Sequence, residues 1–426
     1  LYANFYTSPS TNPLVTPWIR FDALAYFFNT FFLIIGIAAT LLAAAFFHRF
    51  KASRGEYYFF LLCALFGLLL IGSSADFLTL FMGLEMLSIS LYLLCGYMKE
   101  WKISQEAAIK YFLMGSLGAA FLLYGIALIY GSIGTTQFDS LLSGYQQLHT
   151  LPTQALFMGG IALITIGLAF KATVVPFHIW APDVYEGAPT PVTAFMAVGT
   201  KVGAFAAFII VFLLSLPNFN PVWNEALSLF AFATLLYANF VALRQNHLRR
   251  FFAYSGMSHA GFLLLPLVAE MPDSLSAILF YLVVYAFATF GCFAVLAFID
   301  HRTEGALFND LKGLLHRSPL LAGILALCLL TLAGIPPTAG FFAKFYLFKV
   351  AFEGGYYLLT GVALLTTILS AYYYLRIIGV MLTDALAEDK AFHYSLPAAI
   401  VGGVAIVSIL LLSLYPEPLL SMIINN

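Results

Sequence analysis

The chain has 426 residues, 62% of them hydrophobic and only 9% charged, with a mean hydropathy of +0.94. So little polar surface cannot cover a soluble domain of this length, and the composition predicts a polytopic membrane protein. A formal net charge of −1 offers no electrostatic basis for binding nucleic acid.

The chain opens on LYANFYTSPSTNPLVTPWIR, which lacks the basic n-region and apolar core of a signal peptide. It reads as a polar, proline-containing loop, as though the chain began between two helices. Runs of roughly 20 apolar residues, the length that crosses a bilayer, then recur without the period-two alternation of barrel strands, so the spans are expected to be helical. Twelve such segments fall at 22–47, 57–74, 77–97, 107–131, 154–176, 190–216, 222–243, 251–269, 275–299, 319–352, 356–381 and 396–415. The expected class is an all-α polytopic membrane protein.

The loops orient these segments. Arg49, Lys51, Arg54, Lys99, Lys102, Arg244, Arg249, Arg250, Arg302, Lys312 and Arg317 lie in loops 48–56, 98–106, 244–250 and 300–318. Lys110 enters the next helix on that side, and Arg376 and Lys390 flank a further loop there, while Arg20 stands alone on the opposite side. The positive-inside rule places the basic loops in the cytoplasm and both termini on the other side. Cys63, Cys95, Cys292 and Cys328 are scattered through apolar segments without a CxxC or other ligand spacing. That argues against an iron–sulfur cluster, a zinc site or a disulfide framework, and the expectation is that this chain carries no cofactor of its own.

Four basic residues remain inside the spans: Lys171, Lys201, Lys344 and Lys349. Lys349 is close enough to its segment end to snorkel. Glu85, in LFMGLEMLSISLYLL, is the carboxylate well inside a span, whereas Asp76 lies at a helix end. A charge at the bilayer centre costs on the order of 2.5–3.5 kcal/mol on insertion scales, so the three deep lysines and Glu85 call for water, partners or both.

Their positions also repeat. Segments within 57–216 form one five-helix set and those within 222–381 another; the second helix holds Glu85 in one and His259 (AYSGMSHAGF) in the other. The fourth holds Lys171 near Pro176 in one, and Pro336, Pro337 and Lys344 in the other. Five crossings turn the second copy upside down, which is the inverted-repeat plan of secondary transporters with broken helices at matching places. The expected division is an N-terminal loop and peripheral helix over 1–56, two five-helix half-channels over 57–216 and 217–381, and a C-terminal peripheral helix over 382–426.

Burial disfavours the charged form of a lysine or a carboxylate alike, and a neighbouring opposite charge restores it. A Glu85–Lys171 pair would hold the ammonium while close and release its proton when separated. Lys201, in AFMAVGTKVGAF, could receive a proton through water, His259 suits a relay between the halves, and Lys344 would be a second switch. Pro176, Pro336 and Pro337 remove backbone donors, and the carbonyls so freed are tolerated at membrane depth where they line a wet cavity. Blander readings stand beside these: a lysine in an inter-subunit salt bridge, Glu85 as a structural partner, and His259 as a packing hydrogen-bond donor. His178, in VVPFHIWAPDVYEGAPTPV, reads equally as a proton entrance or a loop anchor. Tyr372, Tyr373 and Tyr374 read as packing and interface residues.

Residues 170–203, FKATVVPFHIWAPDVYEGAPTPVTAFMAVGTKVG, resemble the signature of the antiporter-like membrane subunits of respiratory complex I. LEMLSISLYLLCGY, EAAIKYFLMGSLGAAFLLYG, YSGMSHAGF and LAGIPPTAGFFAKFYLF match in the same order, so the resemblance covers essentially the whole chain. The VYEGAPTPV loop and a lysine rather than a glutamate at 344 favour the N type over the M type. The resemblance implies a fourteen-helix fold, of which this chain carries the third to fourteenth, the first two having no counterpart here. It places the family's essential glutamate on Glu85, its lysines on Lys171, Lys201 and Lys344, and its histidine on His259. It further implies that NADH, FMN, iron–sulfur clusters and quinone are handled by partner subunits, with proton translocation coupled to quinone reduction there. Expected partners are the other membrane subunits, neighbouring antiporter-like subunits included, and lipids, in the bacterial inner membrane. Three alternatives remain: the equivalent subunit of a ferredoxin-dependent photosynthetic relative, a subunit of a multi-subunit sodium/proton antiporter, and a spacer that has lost transport, against which the intact charge set argues.

Overall fold

A computed structural model describes residues 12–49, 55–217, 219, 221–300, 305–383 and 395–416. Lys51, Arg54, Arg302 and Lys390, and the first eleven residues of the opening loop, fall outside the described residues.

Eleven helices among the described residues are long and apolar enough to cross a membrane. The helices run α1 Ala23–Arg49, α2 Gly55–Gly72, α3 Phe77–Cys95, α4 Lys102–Ile133, a short α5 Leu141–Gln146, α6 Leu151–Ala172 and a short α7 Trp180–Gly187. There follow α8 Thr190–Ser215, α9 Pro221–Ala242, α10 Leu248–Ala269, α11 Ser274–Ile299, the single turn α12 Leu314–Arg317, α13 Pro319–Ala333, α14 Ala339–Glu353, α15 Tyr357–Leu382 and α16 Leu396–Leu414.

Local chemistry sets these boundaries. Asp76 caps α3 by accepting the Thr79 amide at 2.8 Å, and prolines occupy the first turns of α6, α13 and α16, where a missing N–H costs nothing. Without a hydrophobic force between helices in lipid, close approach rests on small residues. A Cβ on Gly125 of α4 would lie 2.7 Å from the Gly160 carbonyl oxygen of α6, and one on Gly67 of α2 would lie 2.7 Å from the Gly83 oxygen of α3. These glycine contacts bring α4 and α2 flush against the helices that carry Lys171 and Glu85.

Two expected spans differ in form. The segment expected at 319–352 is two short helices, α13 and α14, separated by a break at 334–338 where Gly334 adopts φ 78°. The segment expected at 154–176 ends at Ala172, with Thr173 in the left-handed region at φ 62°, and helix resumes as α7 in a stretch read as loop. Polar Asp183 and Glu186 concealed that short helix from a hydropathy reading. Both breaks contain a cis X–Pro bond, Val175–Pro176 and Pro336–Pro337. The bundle centre is α10, buried from Phe251 to Val268, with α8 and α11 mostly buried beside it. Chemistry placed on these three helices is shielded from lipid.

Candidate functional site: a buried polar line through the membrane

Lys171 is the penultimate residue of α6, in the last turn, where the helix dipole favours a cation. Its Nζ donates to Ser88 Oγ at 2.5 Å and lies 3.6 Å from Glu85 Oε1, both on α3. The glutamate contact is therefore an ion pair without a direct hydrogen bond, while the serine takes the shorter contact. Two residues on, Thr173 accepts a hydrogen bond from Lys201 Nζ at 3.3 Å. The break after α6 thus brings Lys171 and Lys201 to opposite sides of one turn.

Lys201 directly follows a π-helical turn, Met196–Thr200, inside α8. Such turns widen the helix and free backbone carbonyls. One of them, Ala197 O, accepts the Tyr285 hydroxyl of α11 at 3.0 Å. On α10, His259 lies within electrostatic reach of both Lys201 and Lys344. Its Nδ1 is 2.6 Å from the Tyr281 hydroxyl and its Nε2 3.0 Å from the Tyr374 hydroxyl. A neutral imidazole donates to one of these and accepts from the other. His259, Tyr281, Tyr285, Thr331 and Lys344 line one small cavity.

Lys344 on α14 reaches back across the second break. Its Nζ donates to Ala333 O, the last carbonyl of α13, at 2.8 Å and to Ser370 Oγ at 3.4 Å, 4.8 Å from the Phe262 ring centre. Both broken helices therefore keep a lysine near the break, Lys171 in the last turn of α6 and Lys344 on the last carbonyl of α13. Lys171, Lys201, Lys344 and His259 are all at most 5% exposed.

The breaks are better satisfied than the prolines alone predict. Trp180 Nε1 donates to the Phe170 carbonyl at 3.1 Å, Thr234 Oγ1 accepts the Val175 amide at 3.0 Å, and Ser413 Oγ accepts the Ala339 amide at 2.7 Å. Side chains thus partner backbone groups around Pro176, Pro336 and Pro337. His178 is buried inside the first break with its ring 4.5 Å from that of Tyr237. Lys349 pairs at the membrane edge with Asp273 (3.3 Å) and Glu353 (3.8 Å).

Sequence reasoning missed the hydroxyls. Ser88, Thr173, Tyr281, Tyr285 and Ser370 were not singled out, and Tyr373 and Tyr374 were assigned to packing. Tyr374 also shares a hydrogen bond with Ser255, and Tyr373 donates to Asn239 Oδ1 at 3.0 Å. Of that tyrosine triplet, Tyr372 alone is exposed. The available signal was spacing: Tyr281 and Tyr285 are one turn apart on α11, as are Ser255 and His259 on α10.

Residues 74–370 match the family model of the NADH:quinone oxidoreductase/Mrp antiporter transmembrane subunits. The chain is 62% identical over 416 residues to NADH-quinone oxidoreductase subunit N of Protochlamydia amoebophila, covering 98% of this chain and 86% of that protein. It is 39% identical to the subunit N of Trichlorobacter lovleyi, with 94% and 82% covered. Its fold superposes on a chain of respiratory complex I from Thermus thermophilus with a TM-score of 0.79 at 35% identity, covering 94% of this chain and 86% of that one. The chain therefore belongs to the family of antiporter-like membrane subunits of NADH:quinone oxidoreductases, within its subunit N branch.

Proposed function

We propose that this chain conducts protons across the membrane through Glu85, Lys171, Lys201, His259 and Lys344, and that quinone reduction in partner subunits drives the transfer. The observation that carries this reading is the set of buried lysines held on hydroxyls, with a buried histidine in their midst. Three buried lysines on α6, α8 and α14 each rest on a hydroxyl, and His259 stands between the last two with both ring nitrogens on tyrosines. Isolated structural lysines would not need to fall in sequence across five helices. A group that exchanges protons at membrane depth needs neighbours able both to give and to accept, and hydroxyls and imidazole do both.

The division of labour follows from the placements. Glu85 and Lys171 form the separable pair of the first half, at 3.6 Å and with Ser88 as the alternative partner for the ammonium. Lys201 and His259 carry the charge through the buried centre, and Lys344 is the terminal switch of the second half. His178 is the anchor of the first break. In this reading residues 57–216 and 217–381 are two half-channels, flanked by 1–56 and 382–426. NADH, FMN, iron–sulfur clusters and quinone belong to partner chains, and neighbouring membrane subunits and lipids cover the outer faces. The membrane is the bacterial inner membrane, with the basic loops cytoplasmic.

The test uses the purified complex in vesicles. K171A and E85A are expected to assemble and to lose most proton pumping during quinone reduction. Pumping at the wild-type rate in either assembled variant sinks the relay. Recovery of the chain with antiporter subunits alone, without flavin and iron–sulfur partners, would overturn the redox coupling.

A further inference from the structure

Asn239 of α9 is a fully buried amide that stands outside the line from Lys171 to Lys344. Each polar atom of its side chain is engaged. Nδ2 donates to the Leu235 carbonyl, one turn back on α9, at 2.6 Å and to Ser258 Oγ of α10 at 2.8 Å. Oδ1 accepts the Tyr373 hydroxyl of α15 at 3.0 Å. The orientation of the amide is unique, because a backbone carbonyl accepts and never donates. The Leu235 oxygen requires the nitrogen on its side and leaves the oxygen to Tyr373.

The two partners on other helices have informative neighbours. Ser258 immediately precedes His259, and Tyr373 immediately precedes Tyr374. His259 Nε2 and the Tyr374 hydroxyl meet at 3.0 Å. One amide therefore ties α10 to α15 at the residue before each member of that pair. Consecutive helical residues point about 100° apart, so the tie and the pair occupy different faces of both helices. Asn239 thus sets the rotation and level of α10 against α15 without entering the path itself. Ser255 also bonds Tyr374, at 2.5 Å, but a hydroxyl proton rotates to suit its partner, whereas the donors and acceptor of an amide are fixed in one plane. In lipid, where apolar surface supplies no force between helices, such an interhelical amide is a principal means of fixing their register.

We propose that Asn239 is a positioning residue for proton transfer at His259, its amide holding α10 against α15 so that the imidazole and the Tyr374 hydroxyl stay within hydrogen-bonding distance. It neither gives nor takes a proton. The proposal rests on the relay reading above, in which His259 is a member.

The experiment compares N239L, Y374F, N239L/Y374F, Y373F and H259Q in the assembled complex, reading vesicle acidification, quinone reduction and the ratio of rates in light and heavy water. N239L keeps the size of the side chain, so assembly is expected to be retained. Its pumping is expected to fall by roughly ten-fold, since a misplacement of about 1 Å can cost up to roughly a hundred-fold. Y374F is expected to lose a similar factor, and N239L/Y374F no more than Y374F alone, because residues that act through one contact do not add. Both single variants are expected to raise the light-to-heavy-water ratio. A variant that merely folds less well lowers the amount of active complex and leaves that ratio unchanged. Losses that multiply to roughly a hundred-fold in the double variant, or an unchanged isotope ratio in N239L, overturn the positioning role. Wild-type pumping in N239L and Y373F together with loss in H259Q overturns it too and leaves the relay standing. Wild-type pumping in H259Q overturns the relay reading at that residue. If N239L hampers assembly, Y373F decides the matter, since it removes only the oxygen that Asn239 holds and carries the same expectations.

Discussion

Arg249 and Arg250 are adjacent, yet only one behaves as a loop cation. Arg250 pairs at the surface with Asp183 and Glu186, each at 2.8 Å. Arg249 is 1% exposed, lies 3.5 Å from Asp300, and donates to the Ala188 carbonyl, while Thr190 donates to the same Asp300 oxygen. Two charges taken out of water gain little as a pair, but removing one strands the other at about 3–5 kcal/mol. R249M and D300L are each expected to lower the stability of the detergent-solubilised protein by that order, and the double variant R249M/D300L to recover much of it. Thermal unfolding of the three variants checks this; independent, additive losses would show that the pair is not coupled. No sequence feature separates the two arginines, because which one turns inward depends on the contacts of α8 and α11. Lys171, Lys201, Lys344 and Glu85 were legible for the opposite reason: a charge in an apolar run is conspicuous wherever the helix packs. Their hydroxyl partners were not, because serine, threonine and tyrosine are common in apolar helices and acquire meaning only when two helices meet.

At the level of helices, the elements that carry Lys171 and Lys344 are the two broken ones. Adjacent prolines made the second break readable, and Pro176 placed the first within a few residues. The short α7 was hidden because its polar residues face the basic-loop surface rather than lipid. How the halves of a break stay together is settled by packing. A Cβ on Gly340, at the start of α14, would lie 2.6 Å from the Thr331 carbonyl carbon of α13, so the two half-helices meet backbone to backbone. This contact keeps Lys344 within 2.8 Å of the Ala333 carbonyl. G340A must push α14 away, at an expected cost of about 1–3 kcal/mol for overpacking. Because the displaced helix carries Lys344, pumping is expected to fall in the same variant. Differential scanning of the purified protein and vesicle acidification measure the two effects; wild-type values in both would show that the break tolerates separation of its halves.

Across the whole molecule, α4 and α10 are joined on the basic-loop side by a charge network centred on α7. Lys110 of α4 and Arg250 of α10 each reach Asp183 at 2.8 Å, so one carboxylate links two helices far apart in the sequence. Asp183 lies outside the eleven membrane-spanning helices and its side chain is 36% exposed. Partial burial opposes its charged form, but Lys110 and then Arg250 outweigh that and hold its carboxyl below the usual carboxylate range. The sign of the pH dependence follows. A carboxyl whose value is lowered by folding stabilises the fold at pH above the ordinary value near 4, and that contribution fades as the pH falls through the lowered value. Solvent screening limits it to about 1 kcal/mol or less, and added salt reduces it further. D183N is therefore expected to be less stable than the parent at neutral pH by that small amount. The difference should narrow as both are acidified below about pH 4 and close only once the pH has fallen through the parent's lowered value. Thermal unfolding of both proteins across that range, at low and high salt, provides the check. A gap that persists unchanged in acid or in high salt would mean that Asp183 holds α4 and α10 by shape rather than by charge.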